Sequence, residues 1–496
     1  MSPQTTFEDG IVPIVVDMGT QTYRFGFGGD KAPKSRLPAA LGVLAERSVD
    51  EEGDVTELSY IAGYNELVES DLPPTVDINP VMRRGQVDDW AAFETIMEYG
   101  VSSSMFHDEA GIEDIVEAVP FVFSDSVVAR RSQRERVMSL LFDQWRCPGL
   151  SFCLSGVLSM YTTDSYSALA VESGEGFTAV YPVLEGCVPR DAIERVDVTG
   201  ADITDRFVSH ITSSAEPLYP EGTAVSQSIF RTRATAQRMK EAVSGTKATV
   251  ESDIIPYRLP DGQTILVPPD LMVAGSEMLL NDSTGIPAAI RRLAENTTST
   301  QKKLCSRLSC MGGNFLMPGL IAATTAAIND TETLEKLEVP VADSMGRPDD
   351  SAWMGGSMLA NLVSIPGTPF DDLFLTRADY EESGADYWLD RNAATEMKLV
   401  RFLARLRNET ITLELKNGTT ILGTVVGVTH DMNCFMRNAK VAKLHQDPQK
   451  VEMIAVRGNT IRYVLLPDTL NLDALLVDKA KTQPGAGKRK APVDSR

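Results

Sequence analysis

Charge divides this chain into two parts that want different surroundings. From Met397 to the end there are 17 Lys or Arg against 9 Asp or Glu, a surplus of 8 positive charges. Residues 1–396 hold the other 30 basic residues against 60 acidic ones, a deficit of 30, and the two parts together give the net charge of −22. An acidic body of that kind repels naked nucleic acid over about a Debye length, whereas a basic module of about a hundred residues suits a phosphate-bearing ligand. The positive charge is not confined to a tail, because Arg401, Arg405, Arg437 and Arg457 lie well ahead of the Lys488-Arg489-Lys490 run. With 43% hydrophobic and 23% charged residues the chain is ordinary globular material, and its 496 residues allow about three domains.

Several classes fall away. The 36 Gly, 27 Pro and 6 Cys show neither a collagen period nor a disulfide scaffold. No run approaches the roughly 18 apolar residues of a membrane helix. The opening MSPQTTFEDG has two acids and no base, which fits neither a secretory signal nor an Arg-rich transit peptide. The expectation is a soluble, reduced, intracellular protein with no membrane partner. Cys147 with Cys153, and Cys305 with Cys310, lack zinc spacing and have no nearby His, so they read as core thiols and no protein-only metal site is expected. His107, His210, His430 and His445 are scattered and carry no catalytic assignment; His430 borders a loop discussed below and could stack on a base, though a plain loop residue is the simpler reading.

In the acidic part, the apolar run IVPIVVD at 11–17 ends in Asp17 and is followed by Met18-Gly19-Thr20-Gln21-Thr22 and the alternating TYRFGFGGD. That is strand, tight turn, strand. Turn amides with the Thr20 and Thr22 hydroxyls can hold phosphate oxygens, and Arg24 on the returning strand can reach the same anion. Taken alone the segment is equally an ordinary hairpin. A second turn of the same design follows ALAV, with Glu172-Ser173-Gly174-Glu175-Gly176-Phe177 before TAVYPV. Two acid-ended hairpins suggest a duplicated nucleotide cleft, with carboxylates placed to hold the waters of a bound Mg²⁺. Met311-Gly312-Gly313-Asn314 offers a glycine turn where backbone can approach an adenine or ribose. A fourth glycine turn is read at Trp353-Met354-Gly355-Gly356-Ser357, leading into the apolar helix MLANLV.

These segments, VVDMGTQTYRFGFGGDKAP, ESGEGFTAVYPVLEG, YRLPDGQTI, MGGNFLMPG, AWMGGSMLANL and LFLTRADYEESGA, stand in one order that resembles actin and the actin-related proteins over about residues 11–390. The resemblance implies an α/β actin-like, two-lobed ribonuclease-H-like fold closing on Mg-ATP, in a domain expected to span residues 1–390. The residues expected to hold ATP and its Mg²⁺ are Asp17, Gly19, Thr20, Gln21, Arg24, Glu172, Gly174, Glu175, Gly176, Gly312 and Gly313. Aligned on GVLSMY, the family's water-positioning glutamine falls on Ser155 and its companion histidine on Ala179. Loss of both polar groups leaves binding in place and removes the means of orienting the attacking water, so the domain is expected not to act as an enzyme. Glu172 and Glu175 replace aspartates, and Gln21 replaces a glycine, narrowing the phosphate pocket. The acidic VDEEGDVTEL at 49–58 reads as a solvated insertion. Within the family the closest likeness is to nuclear-type proteins, with subunits of remodelling or acetyltransferase complexes as partners.

The basic part follows a short polar linker at 391–396. Leu399, Phe402, Leu403 and Leu406 lie at helical spacing opposite Arg401, Arg405 and Arg407. Ile411, Leu413 and Leu415 then alternate with polar residues up to Asn417-Gly418, a strong hairpin signal. Gly423 and Gly427 inside the next apolar run mark bends or bulges, and VEMIAV and IRYVLLP flank the turn Arg457-Gly458-Asn459. A helix and five short strands make a small, strongly bent sheet with the last two strands at its edges. Such edges invite pairing and favour a ring.

MKLVRFLARLRNETITLELKNGTTILGTVVGV, DMN and AVRGNTIRYVLLPDTLNLDALLVD resemble the Sm core proteins of spliceosomal small nuclear ribonucleoproteins, of the D-one type, over residues 397–478. The resemblance implies a small β-barrel Sm fold of an N-terminal helix plus a five-stranded bent antiparallel sheet, and partnership with other Sm proteins in a seven-membered ring. It also implies that Asp431, Asn433, Arg457, Gly458 and Asn459 line the RNA-binding hole for uridine-rich snRNA. Asp431 departs from the usual serine. The end, 479–496, reads as a basic disordered tail whose Lys488-Arg489-Lys490 suits a nuclear address, a phosphate contact or a solubilising end. The combined expectation is a nuclear splicing subunit, assembled in part in the cytoplasm, fused to an ATP-binding structural domain. The alternative is a nuclear remodelling subunit or cytoskeletal actin-like protein, with the Sm part a separate protein read through into the same chain at Met397.

Overall fold

The computed structural model describes residues 12–50, 53–69, 71–102, 105, 112–163, 167–184, 186–189, 192–296, 307–329, 347–363, 374–394, 406, 409–415, 418–428, 434–443, 448–456 and 461–467. The chain divides into two compact units, Met1–Asp390 and Arg391–Arg496.

In the first unit the apolar runs form β1 (Ile14–Met18), β2 (Thr22–Phe27), β3 (Ser35–Pro38), β4 (Phe121–Asp125), β5 (Gly149–Leu154), β6 (Ala168–Ser173), β7 (Thr178–Val183), β8 (Glu194–Val196), β9 (Leu308–Met311) and β10 (Leu375–Thr376). They make two sheets, ordered β10-β5-β4-β1-β2-β3 and β8-β7-β6-β9. The sheets repeat one plan. β1 is antiparallel to β2, with Asp17 opposite Arg24, and parallel to β4; β6 is antiparallel to β7, with Glu172 opposite Ala179, and parallel to β9. The two acids therefore sit at the carboxyl ends of equivalent central strands, where open α/β sheets place their ligands. Each sheet has its own core, one around Val16, Phe25, Phe93 and Phe123 and the other around Val171, Phe207, Met239 and Ile290.

Close backbone approaches hold the hairpins in place. Helix α1 (Ser155–Tyr161) packs across α4 (Ser351–Val363); between them in the chain lie α2 (Gly200–Ser214) and α3 (Val225–Val243). The whole segment from Ser351 is helical, so the glycine turn read at 353–357 is corrected: Gly355 and Gly356 are helical, and the first of them is small because α1 crosses there. A Cβ on Gly355 would stand 1.7 Å from the Leu158 carbonyl oxygen. Fully buried Trp353 donates its indole N–H to the Val15 carbonyl at 3.1 Å, tying α4 to the strand that carries Asp17. Burial of a ring this size contributes on the order of 5 kcal/mol of transfer free energy.

The acidic stretch at 49–58, read as a solvated insertion, contains strand backbone in its described residues. It belongs to a β-hairpin of Ala40–Asp50 with Gly53–Ile61, paired from Gly42↔Ile61 to Asp50↔Gly53. Helix α5 (Arg377–Ala394) runs through the first four residues of the stretch read as a linker, with a break in helical backbone at Gly384. No helix among the described residues is long and apolar enough to cross a membrane.

The second unit is a five-stranded antiparallel sheet of β11 (Thr410–Leu415), β12 (Thr420–Val428), β13 (Cys434–Ala442), β14 (Gln449–Val456) and β15 (Ile461–Leu465), ordered β14-β13-β12-β11-β15. The last two strands are the sheet's edges, and no pairing joins them among the described residues. The register slips between Leu422 and Thr424 and again between Val425 and Gly427, so the glycines mark the bulges that bend the sheet. Gly418 takes φ 78° in the β11–β12 turn, a conformation that favours glycine. Leu406, Ile411, Leu413, Ile421, Val425, Cys434, Met436, Ala439 and Val456 form the core of this unit. The arginine-rich segment 397–405 lies outside the described residues.

Because the Leu158 carbonyl is backbone and cannot step aside, Gly355→Ala is expected to destabilise the first unit by about 3 kcal/mol. Urea unfolding of the full chain, followed through the tryptophans, reads this as a lowered midpoint.

Candidate functional site

The ends of β1, β4, β6 and β9 converge on a cleft of about 220 Å³ in the first unit, and all eleven residues expected to hold ATP line it. Gly19 donates to the Thr22 carbonyl at 3.1 Å and shapes the first turn; Gly174 donates to the Phe177 carbonyl at 2.9 Å and shapes the second. The turns meet at Thr20, whose hydroxyl accepts from the Gly85 N–H at 3.0 Å. A Cβ on Gly176 would strike that hydroxyl at 2.2 Å. Helix α2 is started by a capping box between Thr199 and Asp202, and its first amides, Gly200 and Ala201, donate to the carbonyls of Gly174 and Glu175. The second turn is thus pinned from behind.

Gly174 and Gly313 face open space, where a Cβ meets at most one atom, at 3.9 Å, so a larger residue would occupy room that a ligand can take. Gly312, at φ 98°, lies so close to Ser173 that a Cβ would reach its carbonyl at 2.3 Å. This glycine wall fits a nucleotide. Asn314 braces it, its amide donating to Ser173 Oγ at 3.0 Å and to the Gly174 carbonyl at 3.2 Å.

The charged groups are arranged less simply than the sequence suggests. Arg24, expected to offer its guanidinium to an anion, lines the cleft with that group already paired to carboxylates. Each of its three nitrogens donates to a different carboxylate: Nε to Asp350 at 2.8 Å, Nη1 to Asp17 at 3.3 Å and Nη2 to Asp349 at 3.2 Å. Arg36 adds a two-pronged contact to Asp350 at 2.6 Å for both bonds, and Arg347 Nε donates to Asp349 at 3.0 Å. Burial pushes the Asp17 carboxyl up against the pull of Arg24, and it pushes Asp350 up too, but Arg36 and Arg24 outweigh it and hold Asp350 below the ordinary range.

Glu172 is enclosed. Ser155 Oγ lies 2.8 and 2.9 Å from its two carboxylate oxygens and donates to them, and the Tyr181 hydroxyl donates to Oε2 at 2.7 Å. Burial, with smaller contributions from the charges of Asp17 and Asp125, pushes its pKa up to about 7 against these hydrogen bonds. Ser155, at the position of the water-orienting group, thus spends its hydroxyl on the protein, and Ala179 is buried with no polar side-chain atom.

Three contributors escaped the sequence reading. Lys240 on α3 is buried, donates to Thr204 Oγ1 at 2.8 Å and the Gly200 carbonyl at 3.3 Å, and stands 3.6 Å from Glu175 Oε2; burial lowers its pKa. The available signal was a lysine one turn beyond Ala236 on the apolar stripe of a helix. Asp349 and Asp350 had no local signal, since their partner Arg24 is 325 and 326 residues away.

In the second unit, Asp431, Asn433, Arg457, Gly458 and Asn459 lie outside the described residues. The flanking residues do not: Cys434 pairs with Val428 on one side and Val456 on the other, so these three strand ends are neighbours.

A duplicated sheet pair closing on a cleft with an acid-ended hairpin from each half defines the actin architecture, and the bent five-stranded sheet beyond it defines the Sm fold. Comparison with known proteins agrees. The family model for actin matches residues 8–393 and that for the LSM domain matches residues 401–466, so the chain belongs to the actin family and carries an LSM domain after it. Actin-like protein 7A of Bos taurus is 26% identical over 379 residues, covering 75% of this chain and 81% of that protein. Actin-like protein 7B of Rattus norvegicus is 24% identical over 382 residues, covering 75% and 86%.

The raised pKa of Glu172 has a stability consequence. The folded state holds this proton more tightly than the unfolded chain, so the stabilisation is complete below pH about 4.5 and is lost as pH rises through about 7. A shift of that size corresponds to on the order of 3 kcal/mol. Glu172→Gln is expected to remove this decline, and the difference between parent and variant in urea stability from pH 4.5 to 8 separates it from the contributions of Asp17 and Lys240.

Proposed function

We propose that the actin-family domain binds Mg-ATP as a structural ligand and hydrolyses little or none of it. The LSM domain takes uridine-rich single-stranded RNA as one member of a seven-membered ring with other Sm proteins, serving pre-mRNA splicing in nuclear small ribonucleoproteins. One observation carries the first half: the expected nucleotide-binding residues share a cleft in which the Ser155 hydroxyl is turned onto Glu172 and Ala179 offers nothing. The Thr20 hydroxyl and the amides of the second turn would hold phosphate oxygens, Asp17 and Glu172 the hydrated Mg²⁺, and Gly312 with Gly313 the nucleoside. Bound Mg²⁺ supplies charge neutralisation of the phosphates. A water near the terminal phosphate is then oriented by neither Ser155 nor Ala179, and phosphoryl transfer to water depends on that placement.

The second half is supported by the LSM match and by the neighbouring strand ends at Val428, Cys434 and Val456, which flank the expected RNA-binding residues in the sequence. An Asn amide reads a uracil edge with a donor and an acceptor, and Arg adds a planar stacking face with charge. The basic balance of this part favours the phosphates that follow.

Full-length protein incubated with Mg-ATP is expected to retain intact ATP through gel filtration and to release phosphate far more slowly than filamentous actin; comparable steady release overturns the reading. In assembled rings, Asn433→Ala with Arg457→Ala is expected to weaken retention of a uridine-rich oligonucleotide by about 1–3 kcal/mol per lost base contact while leaving assembly intact. Filter binding together with the ring's elution volume measures both.

A further inference from the structure

Arg24 is the basic residue of the first hairpin, on the strand that returns from the phosphate-type turn. Its side chain is 10% exposed, and all three nitrogens are committed to carboxylates. Asp17, Asp349 and Asp350 balance Arg24, Arg36 and Arg347, so the network is neutral before a ligand arrives. A polyphosphate entering this end of the cleft meets three carboxylates and, among the described residues, no unpaired positive charge, and like charges within a few ångströms in a partly dry site repel strongly. Of the three acids, Asp350 is fixed by two bonds from Arg36 and Asp17 lies within β1, whereas Asp349 is held by Arg24 and by Arg347, whose own side chain is 64% exposed. Asp349 is therefore the acid that can give way.

We infer that Asp349 is a specificity-determining residue of the cleft: it occupies the Arg24 guanidinium as a built-in substitute for a phosphate, and a polyphosphate gains Arg24 only by displacing it. The inference rests on reading the cleft as a nucleotide site. A carboxylate carries one charge and two acceptor oxygens in the place that a phosphate group fills with more of each, so exchange is possible but opposed by the residual negative charge of the displaced acid. The consequence is discrimination by ligand charge. The nucleoside end of a ligand meets the glycine wall without penalty, and each additional phosphate is bound less well than the glycine turns alone would allow.

The test uses the full chain and three probes: adenosine, Mg-ATP and magnesium tripolyphosphate, with affinities from isothermal titration calorimetry. Asp349→Asn, which keeps the shape and removes the charge, is expected to raise affinity for Mg-ATP and for tripolyphosphate at least tenfold and to leave adenosine within twofold. Asp349→Glu, which keeps the charge, is expected to match the parent, an outcome that a merely structural role for this position does not produce. Should Asp349→Asn fail to fold, Asp349→Ser makes the same comparison. Unchanged affinity for both phosphate probes in a folded neutral variant overturns the inference. A gain for tripolyphosphate with no adenosine binding to any of the proteins supports the inference and overturns the nucleotide reading instead.

Discussion

Carboxylates at the ends of buried strands set the terms for the rest of the first unit. Asp17, Asp125 and Glu172 lie where burial pushes each carboxyl upward, and a buried carboxylate without partners costs several kcal/mol. Each therefore draws a donor from elsewhere. Asp17 takes Arg24, Asp125 takes Arg134 at 2.5 Å, and Glu172 takes Ser155 and Tyr181. The strand pairing that builds the cleft and the ionic bonding that lines it are one problem, because the sheets cannot place these acids together unless the donors arrive with them.

Much of this was legible in the sequence because it is local. An apolar run ending in an acid, a short turn and an alternating return strand are contiguous, so both hairpins and their carboxylates were readable, as were the bulges at Gly423 and Gly427. The missing parts are long-range. Nothing near Asp349 or Asp350 indicates that they meet a residue more than three hundred positions earlier, and Arg24 looks available when read beside its own turn. Trp353-Met354-Gly355-Gly356 failed for a related reason. Paired glycines signal a turn when only neighbours are considered, but here they record the backbone of a second helix crossing at Leu158.

The second unit shows the same division. Its strands and bulges follow from alternation and glycine placement, which are local properties, and the order of its ladders follows from hairpins between successive strands. The partnership of β11 with β15, separated by the three other strands, is what exposes β14 at one edge and β15 at the other. An exposed edge carries unpaired backbone donors and acceptors, so a sheet that ends this way is suited to continuing into a neighbour.

Three polar side chains of the cleft share a direction. Ser155, where a longer polar side chain would address a ligand, addresses Glu172 instead; Arg24, on a strand from which it would address an anion, addresses three aspartates; Lys240 is tied to Thr204 and a helix-end carbonyl. In each case a group that would act on a bound molecule acts on the protein. These internal contacts fix the charged groups of both hairpins in position without help from a ligand, and that is why the cleft keeps its lining although several carboxyl groups are buried in it.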